Sequence, residues 1–166
     1  MDAKELFLRS EGDAHFRRNF NPNRVSCAKG TQFLSGFLDK NPELLQESEK
    51  KSVLEIGCDY GFNLMYLNQK FGLKCYGVEP SMEAVEFGRK NLLSKKITAV
   101  ELVQGTSDYL PFEENSMDFV ILGFFMYCVD RSYLLKTAAE ADRVLKRGGF
   151  LVMEDFDVPI SCKRGL

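Results

Sequence analysis

The chain has a single histidine, His15, so a catalytic histidine dyad is excluded. Its five cysteines, Cys27, Cys58, Cys75, Cys128 and Cys162, are an odd number with no C-x-x-C spacing. Neither a disulfide framework nor a zinc site is indicated; no metal is expected, and a reducing, cytoplasmic setting fits. The longest apolar run, residues 119–129, is too short to span a bilayer, and the charged start Met1-Asp2-Ala3-Lys4-Glu5 is no signal peptide. No membrane association is expected. Basic excess is missing too: the formal net charge is −2, and the pairs Lys50-Lys51, Lys95-Lys96, Lys146-Arg147 and Lys163-Arg164 are scattered. They read as solvated ends of strands and helices rather than as a nucleic-acid surface. Two phosphate-binding signatures also fail. Counting from Gly57, the later glycine positions of G-x-G-x-x-G hold Asp59 and Phe62, and no Gly-Lys-Ser/Thr follows Gly61.

What is present is a core-forming chain, 45% hydrophobic over 166 residues. Its most informative stretch is Val53-Leu54-Glu55-Ile56-Gly57-Cys58-Asp59-Tyr60-Gly61, an apolar strand with a carboxylate near its end and a glycine-punctuated turn. It is answered by Tyr76-Gly77-Val78-Glu79-Pro80, where Glu79 stands at the tip of the next strand. Glycine turns let a ligand approach the backbone, and a carboxylate at the second strand tip can take a ribose diol. The remaining pattern, E-x-G-x-x-x-G, puts an anion where a phosphate would be repelled. A carboxylate there suits a ligand carrying an ammonium and a sulfonium.

Residues 1–50 read as an amino-terminal helical cap or extension with helix candidates at 2–16 and 29–38, bounded by Asn41-Pro42 and the polar stretch 46–51. Residues 51–166 then form an α/β domain. Strands are expected at 53–56, 74–78, 98–103, 118–122 and 150–153. Helices are expected at 62–71, from Ser81 to about residue 93, and at 132–145, the last ended by Gly148-Gly149. This alternation predicts a Rossmann-like, doubly wound parallel sheet.

At these residues the chain resembles class I S-adenosylmethionine-dependent methyltransferases, in particular the methyltransferase type 11 group. The resemblance runs over residues 52–157 through VLEIGCDYG, YGVEPS, VQGTSDYLPFEENSMDFVIL and RVLKRGGFLVMEDF. It implies S-adenosyl-L-methionine as cofactor. It also implies a sixth and seventh strand after the fifth, for which nothing after Leu166 remains, so the sheet is expected to stop at a fifth strand whose apolar edge invites self-association.

The resemblance points to Glu55, Gly57, Cys58, Asp59, Gly61, Glu79, Pro80, Thr106, Ser107 and Phe124 as cofactor-binding. Each has a plainer alternative. Glu55 binds the cofactor or orients the turn, or merely ends a strand. Gly57 and Gly61 admit the methionine part or simply form a β-to-α turn. Cys58 lines the turn or packs. Asp59 stands where the family usually has glycine; it tolerates positive φ and meets the ammonium, or obstructs the site. Glu79, with Pro80 beside it, accepts both ribose hydroxyls or favours a helix start. The family places an acidic residue directly after Gly105, but here Thr106 and Ser107 contact adenine, or Asp108 substitutes, or the segment only stabilises a turn. Phe124 or Tyr127 flanks the sulfonium or packs in the core.

Transfer of the methyl group is an in-line displacement whose rate comes mainly from alignment and water exclusion, so no fixed catalytic residue is required. Asp130 and His15 are the candidates for a base if one is needed. Asp130 alternatively caps a helix, and His15 alternatively is a surface or lid residue. The segment Glu11-Gly12-Asp13-Ala14-His15-Phe16-Arg17-Arg18-Asn19 looks like one found in bacterial methyltransferases of surface-sugar pathways. The expected acceptor is therefore a small molecule, a sugar or surface-glycan precursor being one class. The rival reading is a catalytically silent cofactor-binding or partner-binding module; a nicotinamide oxidoreductase is disfavoured by the failed glycine fingerprint.

Overall fold

Strands that are apolar over most of their length belong in the middle of a parallel sheet, where both faces are covered. In the computed structural model, which describes residues 3–21, 23–46, 50–123 and 126–154, the two such strands are β1 (Ser52–Ile56), buried throughout, and β4 (Met117–Gly123), buried up to its last residue. They pair in parallel at the centre. Flanking them are β2 (Lys74–Glu79), β3 (Val100–Gln104) and β5 (Leu145–Glu154). All pairings are parallel, and the order is β3-β2-β1-β4-β5. The order reverses direction beside β1, at the switch point where open α/β sheets bind ligands beyond the strand carboxyl ends.

Alternate residues of each strand point to opposite faces. Val53, Cys75, Leu102, Phe119 and Ile121 build one core. It includes Leu64 and Leu67 of α4 (Phe62–Phe71), Val85 and Leu92 of α5 (Met82–Ser94), and Leu34 and Leu38 of α3 (Lys29–Lys40). Leu54, Ile56, Val78, Val120 and Leu122 build the other, against Ala141 and Val144 of α6 (Leu134–Val144). The sheet is thus doubly wound. The amino-terminal residues are helical as expected, but in three registers: α1 (Ala3–Leu6), a π-helical turn (Phe7–Glu11) closed by the Gly12 N–H on the Phe7 carbonyl, and α2 (Gly12–Asn19). Through Leu34 and Leu38, α3 shares the core of the sheet.

Local signals explain most boundaries. Ser81 caps α5, its hydroxyl accepting the Ala84 N–H at 3.1 Å. Gly72, in the left-handed region at φ 71°, ends α4. One boundary needs correction. Gly148-Gly149 does not end the last helix, which stops at Val144; β5 begins at Leu145. Met117 pairs with Leu145 and Phe119 with Phe150, so residues 146–149 bulge opposite the single residue Asp118. The bulge brings the Lys146 Nζ to 2.9 Å from Asp118, whose carboxylate also takes Lys51 at 3.2 Å and the Ser52 N–H and hydroxyl, each at 2.9 Å. Burial acts to raise the pKa of Asp118, but these donors outweigh it and hold the carboxyl below its ordinary range. A buried charge with several partners fixes where the strand must start, and glycine content does not.

Gly77 gives a direct test of the packing between β2 and α4. A Cβ there would lie 2.4 Å from the Cys58 Sγ, 2.8 Å from Leu102 and 2.9 Å from Leu64. The Gly77→Ala variant is expected to lose about 1–3 kcal/mol of stability, read as a lower urea midpoint at unchanged slope.

Candidate functional site

The carboxyl ends of β1 and β2 open into a cavity of about 780 Å³ walled by residues 55–59, 78–80 and 105–108 on the sheet side. That volume suits a nucleoside-sized ligand. The amino-terminal helices, through Phe7, His15 and Phe16, and the stretch after β4, through Tyr127, Asp130 and Tyr133, complete the wall.

The turn after β1 is shaped by three residues with positive φ: Gly57 at 75°, Asp59 at 53° and Gly61 at 77°. The Gly57 and Cys58 N–H groups both donate to the Val78 carbonyl, at 2.8 and 3.2 Å, and the Gly61 N–H closes the turn on the Cys58 carbonyl at 2.9 Å. Asp59 therefore stands in the left-handed conformation that the sequence suggested for that position. Gly57 lines the cavity; Gly61 does not. A Cβ on Gly61 would meet Leu102 at 2.9 Å, so this glycine starts α4 and packs on β3 rather than admitting a ligand. Cys58 touches the cavity but is buried, and burial pushes its thiol pKa well up, as for a packing residue.

Three carboxylates converge here. Glu55 points to the α4 side and is 3% exposed. Its Oε1 accepts the Asn63 Nδ2 at 2.5 Å, whereas its buried Oε2 has no hydrogen-bond partner among the described residues. Burial raises its pKa to about 8, the Asn63 bond acting in the opposite sense. Glu79 grips the turn: its Oε2 accepts the Asp59 N–H and its Oε1 the Ser81 N–H, both at 3.0 Å. Burial raises it to about 7. Asp59, raised by burial to about 6, lies 3.8 Å from the Arg24 Nη1. An orphaned carboxylate oxygen beneath a cavity edged by two more carboxylates is unfavourable without a cationic or donor-rich occupant.

The other expected residues are spread around the same cavity. Pro80, Thr106, Ser107 and Asp108 line it beyond the β2 and β3 ends. Thr106 forms an isolated bridge with Tyr109, and the Ser107 hydroxyl shares a 2.7 Å hydrogen bond with Thr137 of α6. Phe124 lies outside the described residues, and Tyr127 stands exposed at the rim. Asp130 is on the wall but its Oδ1 accepts the Ser132 N–H and hydroxyl, at 2.8 and 2.7 Å, which draws its pKa below the ordinary carboxylate range. His15 also lines the cavity, its Nε2 4.0 Å from the Cys128 Sγ and its ring tilted against Phe7.

Two residues of the site escape the strand-and-turn pattern. The Asn63 Oδ1 accepts the Arg24 Nη2 and the Ala28 N–H, each at 3.1 Å, while its amide holds Glu55. A polar side chain 5% exposed in the first turn of α4, among Leu64 and Met65, is the only local signal for it. Among the described residues no cluster of His, Cys, Asp and Glu could hold a metal, Cys27, Cys58, Cys75 and Cys128 form no disulfide, and no helix is long and apolar enough to cross a membrane.

Residues 54–153 match a family model described as a methyltransferase domain. Over 114 residues the chain is 28% identical to the tRNA N(3)-methylcytidine methyltransferase Mettl2 of Drosophila melanogaster, spanning 65% of this chain and 35% of that protein. Over 116 residues it is 31% identical to a fatty-acid O-methyltransferase of Mycolicibacterium smegmatis, spanning 67% and 40%. The chain thus spans less than half the length of either curated relative. A SAM-dependent methyltransferase from Aquifex aeolicus has the same fold, with a TM-score of 0.66 at 21% identity over 89% of this chain and 77% of that one.

Proposed function

This chain belongs to the methyltransferase domain family, and on that premise we propose that it binds S-adenosylmethionine in the cavity above β1 and β2 and directs its methyl group to a small-molecule acceptor. The observation that carries the reading is the convergence of Glu55, Asp59 and Glu79, with the buried Glu55 Oε2 unpaired. A ligand with an ammonium, a sulfonium and a diol suits that set, so the residues present fit the cofactor. When bound, it supplies a methyl group on a positively charged sulfur that leaves as a neutral thioether.

In this reading Glu79 accepts from the ribose hydroxyls while its backbone bonds keep it fixed. Glu55, Asp59 and the Gly57 backbone face the amino-acid end, and Pro80, Thr106, Ser107 and Asp108 flank the base. Residues 1–50 serve as a cap, with Phe7 and Phe16 helping to exclude water above the sheet. Of the two base candidates, Asp130 is made a weaker base by the Ser132 hydrogen bonds that lower its pKa, and His15 stands on the same cavity wall. Alignment by the cavity supplies most of the rate.

A sugar or surface-glycan precursor is the acceptor class to try first, in the cytoplasm. The names of the two curated relatives make fatty acids and tRNA the other arms of the same assay. Titration calorimetry is expected to show binding of S-adenosylmethionine and S-adenosylhomocysteine and none of NAD. Binding of NAD alone would overturn the cofactor; cofactor binding with no transfer to any acceptor class would favour a silent binding module.

A further inference from the structure

We propose that Cys128 is a modification site for small neutral hydroperoxides, with His15 as the partner that takes its proton. The two residues stand 113 apart in the chain and on different walls of the cavity. His15 is on α2, and Cys128 closes the short 3-10 turn Met126–Cys128 that follows β4. Their side chains meet with the His15 Nε2 4.0 Å from the Cys128 Sγ, within reach of a hydrogen bond to sulfur. The thiolate is the nucleophilic form of cysteine, and an adjacent imidazole is the group that generates it. Because the proton stays on His15, the pair remains neutral overall.

The other described cysteines lack this combination. Cys58 and Cys75 are buried, and burial pushes the Cys58 thiol well up and the Cys75 thiol to about 12. Cys27 is half-buried, lies off the cavity wall, and is raised by burial to about 11. A raised thiol pKa leaves little thiolate to react. Charge narrows the choice of oxidant. Six carboxylic acids, Glu11, Glu55, Asp59, Glu79, Asp108 and Asp130, line the cavity against two arginines, Arg24 and Arg131. That excess repels an anionic reagent such as glutathione disulfide and leaves a neutral hydroperoxide unhindered.

In the step, the Cys128 sulfur attacks the distal peroxide oxygen, so that an S–O bond forms as the O–O bond breaks. The leaving oxygen takes the proton from His15 and departs as water or an alcohol. Sulfur loses two electrons to become a sulfenic acid, and the peroxide gains them. The test uses the full chain, hydrogen peroxide, and dimedone to trap sulfenic acid, followed by peptide mass spectrometry. Label is expected at Cys128 at least about tenfold faster than at Cys27, Cys58, Cys75 or Cys162. His15→Gln, checked for an unchanged circular dichroism spectrum, is expected to slow it about tenfold at neutral pH, and glutathione disulfide is expected to react more slowly than peroxide. Equal labelling of the cysteines in the parent, or faster labelling of another one, would overturn the site without recourse to any variant. Undiminished labelling in His15→Gln would overturn the pairing, and faster reaction with glutathione disulfide would overturn the choice of a neutral oxidant.

Discussion

Replacing Glu79 with alanine is expected to weaken S-adenosylmethionine by at least about 1.5–3 kcal/mol, the range for hydrogen bonds to a charged group. The structure gives reason to place the loss at or above the top of that range. Glu79 also accepts the Asp59 and Ser81 N–H groups, so its removal unpins the turn that carries Asp59 and the start of α5. Glu79→Gln keeps one acceptor oxygen and is expected to lose only part of the affinity. 5′-Methylthioadenosine, which retains the ribose but lacks the amino-acid end, should weaken alongside the full cofactor. Parent-like binding by both Glu79 variants in calorimetry would remove Glu79 from the ribose.

The second large effect is on pH dependence. The Glu55 pKa is raised from 4.5 to about 8 in the folded chain, so the native state holds a proton that the unfolded state has released. For such an acid, stability falls as pH rises from about 4.5 through about 8, by up to about 1.4 kcal/mol per pH unit for the one group, and is steady beyond. Glu79 and Asp59, raised to about 7 and about 6, act with the same sign over lower windows. A cationic ligand prefers the ionised carboxylates, so it expels these protons on binding. Affinity is therefore expected to climb between pH 6 and pH 8, and calorimetric heats to change with the ionisation enthalpy of the buffer. Glu55→Gln should flatten both the stability slope and the affinity slope. An affinity that stays level across this range in the parent would exclude a titrating carboxylate from the ligand's surroundings.

The largely apolar strands and the strand-helix alternation made the doubly wound sheet legible, because burial of β1 and β4 on both faces leaves few polar residues in them. Asp59 was legible too: a short polar residue in a glycine slot signals positive φ, and φ is 53°. Gly61 misled because a turn glycine looks alike whether it faces a ligand or a neighbouring strand; only the position of Leu102 decides it. The start of β5 was hidden for a related reason. Gly148-Gly149 carries a local breaking signal, whereas Asp118, which draws Lys146 back into line, acts from 28 residues away. Arg24 and Asn63 meet across 39 residues, and no periodicity records a contact made by a loop on the first turn of a distant helix.

The junction of α2 with α5 has a mechanical consequence. The Asp13 Oδ1 accepts both the Ser81 hydroxyl, at 2.7 Å, and the Glu83 N–H, at 3.0 Å, and Arg17 pairs with the Glu83 carboxylate. Lifting α2 would strand two donors at the first turn of α5, at about 1 kcal/mol each. One jamb of the doorway is therefore bolted to the same helix start that follows Glu79. The stretch that carries Tyr127 and Asp130 forms the opposite rim of the same cavity. Amide exchange should record this fastening as slow exchange at Glu83, speeded in Asp13→Ala.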